Sequence, residues 1–184
     1  MPQMILKKEK SLSPKGELIE TAVKVPVLIN YSVGKKRFTK TPDEQDIKNI
    51  NDTKICEWFP SDELPIGYNT EQPKRSHGYF SVDAFYTKRT LLLLSEFYKR
   101  FKNNNKKKFL FTSTLAKLTL LNRYMPEHGS RALVGPMVGT YYVPSLSVEN
   151  NVINQMEFQF KKLHNLQYKK GETIVTTQST TNMS

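Results

Sequence analysis

The run FYTKRTLLLLSEFYKRF, Phe85 to Phe101, constrains the fold more than any other stretch of this chain. Four consecutive leucines, Leu91 to Leu94, follow closely on Lys88 and Arg89, and a second basic cluster, KRFKNNNKKK, begins at Lys99. A bilayer span needs about 20 apolar residues, and charge interrupts this run well before that length. Leu91, Leu94, Tyr98 and Phe101 share one face of a helix running to about Lys102, and Leu92 and Leu93 widen that face. Such a helix must bury its stripe against a sheet or other helices. Asp83 or Thr87 stands where it can cap the start. Lys88 and Arg89 then fall in the first turn, where a cation opposes the helix dipole at a cost of at most about 1 kcal/mol. That placement hints at a task other than helix stability.

The 184 residues suffice for one domain with a hydrophobic core, and 28 Lys and Arg against 17 Asp and Glu leave a net charge of +11. A field of that sign favours polyanionic partners, nucleic acid or anionic membrane, unless the lysines only solubilise the surface. Cys56 is the single cysteine, so an intrachain disulfide and a cysteine-rich zinc site are excluded. His77, His128 and His164 lie far apart without metal-ligand spacing. The start MPQMILKKEK has no apolar segment behind it and does not read as a secretory signal. A cytoplasmic protein with no membrane partner is expected.

Residues 1–20 are polar and weakly patterned, and are expected to lie loosely as a basic N-terminus ahead of a single α/β region, 21–184. TAVKVPVLINYS alternates around β-branched residues and reads as a strand from about Ala22 to Tyr31, followed by a turn at Gly34 and a short return strand RFTK. In TPDE, Thr41 is expected to cap a short helix, with Pro42 at its first position and Glu44 reaching back. WFPSDELPIGYNTEQPKRSHG, with three prolines and two glycines, reads as a long ordered loop rather than a helix. It either serves function or covers a core face, its aromatics as anchors. NNNKKK reads as a solvated turn. KKFLFTSTLAKLTLLNRY follows as a helix, with Phe111, Leu115, Leu118 and Leu121 buried and its end at Asn122–Tyr124. Gly139–Val143 is expected as a strand, Ser147 as the cap of a helix through Val148, Val152, Met156, Phe160 and Leu163, and Thr173–Thr177 as a last strand. Strand, helix, strand in that order suggests a βαβ crossover and a parallel sheet.

Catalytic signatures are missing from these residues. The glycines never form GxG, GPMVG at 135–139 lacks a following Lys-Ser/Thr, and there is no GxSxG. The residue chemistry is that of a basic α/β piece without its own catalytic centre.

Five strings in order, WFPSDELPIGYNTEQPKRSHG, FYTKRTLLLLSEF, FTSTLAKLTLLNRY, GTYYVPSLSVENNV and TTQSTTNMS, resemble the middle section of prokaryotic and phage DNA methyltransferases that modify N6 of adenine or N4 of cytosine. The resemblance runs from about Val25 to Ser184. It implies an α/β fold with a partial, Rossmann-like methyltransferase sheet and packed helices, preceded by a β-hairpin and a short helix. It implies S-adenosylmethionine as cofactor of the complete enzyme, double-stranded DNA as substrate, and a target base flipped out of the duplex. The family's glycine-rich cofactor motif upstream and Asp-Pro-Pro-aromatic motif downstream do not occur here. The chain is therefore expected to be a section of such an enzyme that binds no cofactor alone, with the missing cofactor-binding and catalytic segments as further partners. Many relatives carry a zinc ribbon where this chain has NYSVGKKRFTK; without cysteines a bare hairpin without zinc is expected. The matching strings carry Lys88, Arg89 and Arg123 at basic positions, implying contact with DNA phosphate or with the missing catalytic segment. The alternative for these three is structural, helix-end charges bonded to loop carbonyls. Lys74, Arg75 and His77 are the next DNA-binding candidates. A standalone basic nucleic-acid-binding module is the competing class.

Overall fold

In a computed structural model, residues 7–12, 16–127 and 133–164 are described. They form a mixed α/β arrangement whose strands pair only as three antiparallel two-stranded sheets. Among the described residues of the N-terminal region, β1 (Lys8–Leu12) pairs with β2 (Leu18–Ala22), Lys8 opposite Ala22, and the Ser11 and Thr21 hydroxyls bond across the pair at 3.0 Å. The long strand expected over Ala22–Tyr31 is divided instead, with β2 ending at Ala22 and β3 (Ile29–Val33) beginning later. Pro26, between them, has no N–H to give a ladder.

The second hairpin, β3 with β4 (Lys36–Lys40), matches the sequence expectation. Gly34 and Lys35 form a two-residue turn, and Gly34 takes the positive φ of 59° that such a turn assigns to its first residue. Tyr31 stacks on Phe38 across the pair at 5.5 Å. The following α1 (Glu44–Asn51) starts two residues later than TPDE suggested. Asp43 is the cap, accepting from the Asp46 N–H, while the Asp46 carboxylate accepts from the Asp43 N–H. A reciprocal box satisfies two orphan amides, which Thr41 alone cannot do.

The proline-rich stretch is not a continuous loop: α2 (Tyr68–His77) occupies its second half. Pro73 removes only the bond that the Asn69 carbonyl would have accepted, near the helix start, and its buried ring packs in return. The Thr70 hydroxyl fastens the entry by donating to the Pro65 and Gly67 carbonyls at 2.6 and 2.8 Å. Gly78, at φ 69°, ends the helix and turns its N–H back onto the Lys74 carbonyl. A Cβ at Gly78 would lie 2.0 Å from the Glu20 carbonyl oxygen, so β2 rests directly against this turn.

A 3₁₀ turn, Val82–Phe85, leads to α3 (Lys88–Phe101), capped by Thr87 rather than by Asp83, the other residue its sequence offered. NNNKKK is less of a turn than expected. Asn104 caps α4 (Asn105–Leu118), so Lys106, Lys107 and Lys108 belong to its first turn. This helix stops at Leu118, short of Asn122–Tyr124, because the buried Asn122 amide donates to the Ala116 and Thr119 carbonyls at 3.1 and 2.7 Å. Arg123–Tyr124 (β5) instead pairs with Leu133–Val134 (β6). Gly139–Val143 is not a strand; Tyr141 lies against Phe85 at 5.6 Å and Val143 is buried, so side-chain anchorage replaces a ladder. Ser147 does not cap α5 (Val152–His164). Its hydroxyl donates to the Leu120 carbonyl at 2.7 Å, and Asn151 caps through the Asn154 N–H.

No parallel strand pair exists among the described residues, so the βαβ crossover and a Rossmann-like sheet are not what they form; Thr173–Thr177 lies outside them. Two apolar clusters hold the chain together. Leu64, Tyr79, Phe85 and Val143 make the first, edged by Leu121. Leu94, Leu118, Val152 and Met156 make the second, between α3, α4 and α5. Tyr86 packs against both.

Candidate nucleic-acid interface

The α3 start projects the two cations that matter most to the sequence reading. Thr87 supplies the cap because its hydroxyl accepts the Thr90 N–H at 3.2 Å, which leaves Lys88 and Arg89 in the first turn. Lys88 is exposed, with no ion pair or hydrogen bond to another described residue. Arg89 grips Glu149 with Nε at 3.1 Å and the terminal nitrogen at 3.0 Å. Both partners keep solvent contact, so the pair contributes at most about 1 kcal/mol and is open to exchange for a phosphate. Arg123 is committed more locally: its Nε donates to the Gly135 carbonyl at 3.1 Å, closing the β5–β6 hairpin. The backbone of Arg123 also bridges Ser147. Arg89 and Arg123 thus converge on one short segment, Ser147–Glu149.

Lys74, Arg75 and His77 lie apart from that segment, on the last turn of α2 rather than on a loop. There the helix dipole favours cations for reasons of stability alone. Lys74 is mostly covered and pairs with Glu71 at 3.2 Å. The Arg75 side chain is exposed, while its carbonyl accepts the Lys8 ammonium at 3.3 Å. His77 is half-buried beside Tyr79, and burial, then the Lys8 charge, holds its pKa below the usual histidine value. Both effects disfavour its cationic form. Of the six candidates, Lys88 and Arg75 offer charge without a competing carboxylate among the described residues, Arg89 offers it by exchange, and Lys74, His77 and Arg123 are engaged by neighbouring groups.

One residue that sequence reasoning missed sits between these groups. Lys24 is exposed as a residue, but its ammonium donates to the Ala84 and Tyr86 carbonyls at 2.9 and 3.1 Å and lies 5.0 Å from the Tyr79 ring centre. Burial pulls its pKa down to about 8, against the opposing pull of Asp83 and then Glu149. Asp83 keeps one carboxylate oxygen buried without a hydrogen-bond partner. In the sequence Lys24 is only the polar member of an alternating run, and no local signal marks it.

Among the helices of the described residues only α2 opens on a glycine, Gly67, where a Cβ would meet the Thr70 hydroxyl at 3.5 Å. Among the described residues no group of three or more His, Cys, Asp or Glu could hold a metal ion, and no helix is long and apolar enough to cross a membrane. Comparison with protein families, with curated proteins and with solved structures found no match.

Proposed function

We propose that this chain is the DNA-facing section of an amino-methylating DNA methyltransferase, the part between its cofactor and catalytic motifs, and performs no methyl transfer alone. One observation carries the reading. The strings that resemble the family supply three of the four buried residues in each apolar cluster: Leu64, Phe85 and Val143 in the first, where Leu121 of a fourth string packs at the edge, and Leu94, Leu118 and Val152 in the second; Tyr79 and Met156 lie outside them. Strings that keep their order and also pack on one another are expected of a section inherited as a unit. Duplex DNA is its partner, met at the α3 start by Lys88 and by Arg89 once it exchanges Glu149 for phosphate.

Sequencing the DNA on both sides of the coding region tests this. A glycine-rich cofactor motif upstream and an Asp-Pro-Pro-aromatic motif downstream are expected, and a locus with neither overturns the reading. Labelled S-adenosylmethionine with duplex DNA and the purified chain should give no transfer; transfer by the chain alone also overturns it. The net charge of +11 favours a second reading, a standalone nucleic-acid-binding module. It predicts a duplex gel shift by the chain alone, with log affinity falling steeply against log salt.

A further inference from the structure

A further basic surface involves α4 and α5. Thr114 meets Met156 at 3.6 Å and the Asn150 amide donates to the Lys117 carbonyl at 2.7 Å, so α4 and α5 run antiparallel. The first turn of α4, with Lys106 to Lys108, therefore shares one end of the molecule with Lys161 and Lys162. Along the outer seam between the two helices, Phe109, Ser113 and Lys117 succeed one another at four-residue spacing on α4, as do Asn154, Phe158 and Lys162 on α5. The rows adjoin, because the Lys117 ammonium lies 5.5 Å from the Phe158 ring centre and that of Lys162 4.4 Å from it. Phe109 is 62% exposed and Phe158 49%. Neither row carries an acid; Glu157, the one acid of α5, points about 100° around the helix from Phe158.

We propose that this seam is a stacking platform for single-stranded nucleic acid, which goes beyond the duplex surface at Lys88. Exposed phenylalanines spaced along a lysine-lined track are what unpaired bases and their phosphates require, whereas a duplex hides its base faces. An exposed cation–π contact is weaker than a base stacked on a ring. On binding, a lysine leaves the Phe158 face for a phosphate and a base takes its place, so one exchange satisfies both groups. The charge complementarity selects a polyanion, and the exposed rings select a single strand.

Fluorescence anisotropy of a labelled 15-nucleotide thymidine oligomer, its uridine counterpart and a 15-base-pair duplex tests the assignment on the full chain. Phe158→Ala is expected to weaken both single strands about tenfold and to leave the duplex unchanged. Phe158→Trp, which keeps a ring in the same half-exposed place, is expected to retain or tighten binding, and this comparison stands even if the alanine variant folds poorly. Lys162→Gln should lower the slope of log affinity against log salt by about 0.7. Equal binding by Phe158→Ala and the parent, an equal loss on duplex and single strand, or a tryptophan variant as weak as Phe158→Leu overturns the proposal. So does a concentration-dependent dimer in sedimentation that Phe158→Ala abolishes, which would give the seam to a second copy. The coding-region test of the methyltransferase reading has no bearing on these outcomes, so failure of either is distinguishable.

Discussion

Replacing Gly78 with alanine tests how the N-terminal hairpin is joined to the rest of the molecule. Two costs add at this position. The backbone is left-handed, φ 69°, where a Cβ costs about 1–2 kcal/mol. The Cβ would also lie 2.0 Å from the Glu20 oxygen and 2.9 Å from both the Glu20 carbonyl carbon and the Thr21 Cα. These are backbone atoms of β2 and cannot rotate away, so the hairpin itself must shift, at an overpacking cost of about 1–3 kcal/mol. Gly34→Ala is the matched control: its φ is 59°, but a Cβ there meets nothing within 4 Å, so only the backbone cost applies. The packing difference should appear in urea denaturation as a midpoint about 1 M lower for Gly78→Ala than for Gly34→Ala, given slopes of about 1–3 kcal/mol per M. Amide exchange in β1 and β2 should quicken in the Gly78 variant alone. Equal midpoints, or unchanged exchange in the hairpin, would refute the claim that β2 is seated on this turn.

Two further outcomes follow from burial. Leu118 is 2% exposed at the junction of α3, α4 and α5, and Leu118→Ala should cost about 2–5 kcal/mol by denaturant unfolding, whereas Phe109→Ala should change stability little. Lys24 has a folded pKa of about 8 against 10.5 when unfolded, so between those values the unfolded chain binds the extra proton and stability rises with pH. Lys24→Met should flatten that rise in urea midpoints taken from pH 8 to 10.5, and an unaltered profile would show that the ammonium is not enclosed.

The elements legible in the sequence are those whose cause is local. Thr87 fixes the start of α3 through a bond three residues long, and Gly34 fixes a two-residue turn through its own φ. What was hidden depends on partners distant in the chain. Pro73 and Gly67 read as breakers, yet α2 forms because Thr70 and Pro73 are buried and Gly78 meets Glu20. The end of α4 is set by Asn122 folding back on carbonyls, a side-chain choice that periodicity does not register. Tyr141–Val143 has a strand-like pattern, but Val143 is buried beside Phe85 and the Tyr141 ring lies against it. For the interface, residue type identified the cations at the α3 start. Only coordinates separated Lys88 from Arg123, or showed Lys117 and Lys162 meeting at Phe158.

The separate two-stranded sheets also set an order of events during synthesis. Each ribbon pairs residues close together in sequence, and such hairpins close in about 1–10 μs. The clasps that anchor the first ribbon are of another kind: Lys8 reaches Arg75 across 67 positions, and Lys24 reaches Ala84 across 60. At about 5–20 residues per second, a ribosome needs about 3–13 s to supply the acceptors after the lysines emerge. Through that interval β1 and β2 stand as an isolated ribbon, a form that is marginal in water. Their unpaired edges are then open to any other strand nearby, until the arrival of α2 seats β2 on the Gly78 turn.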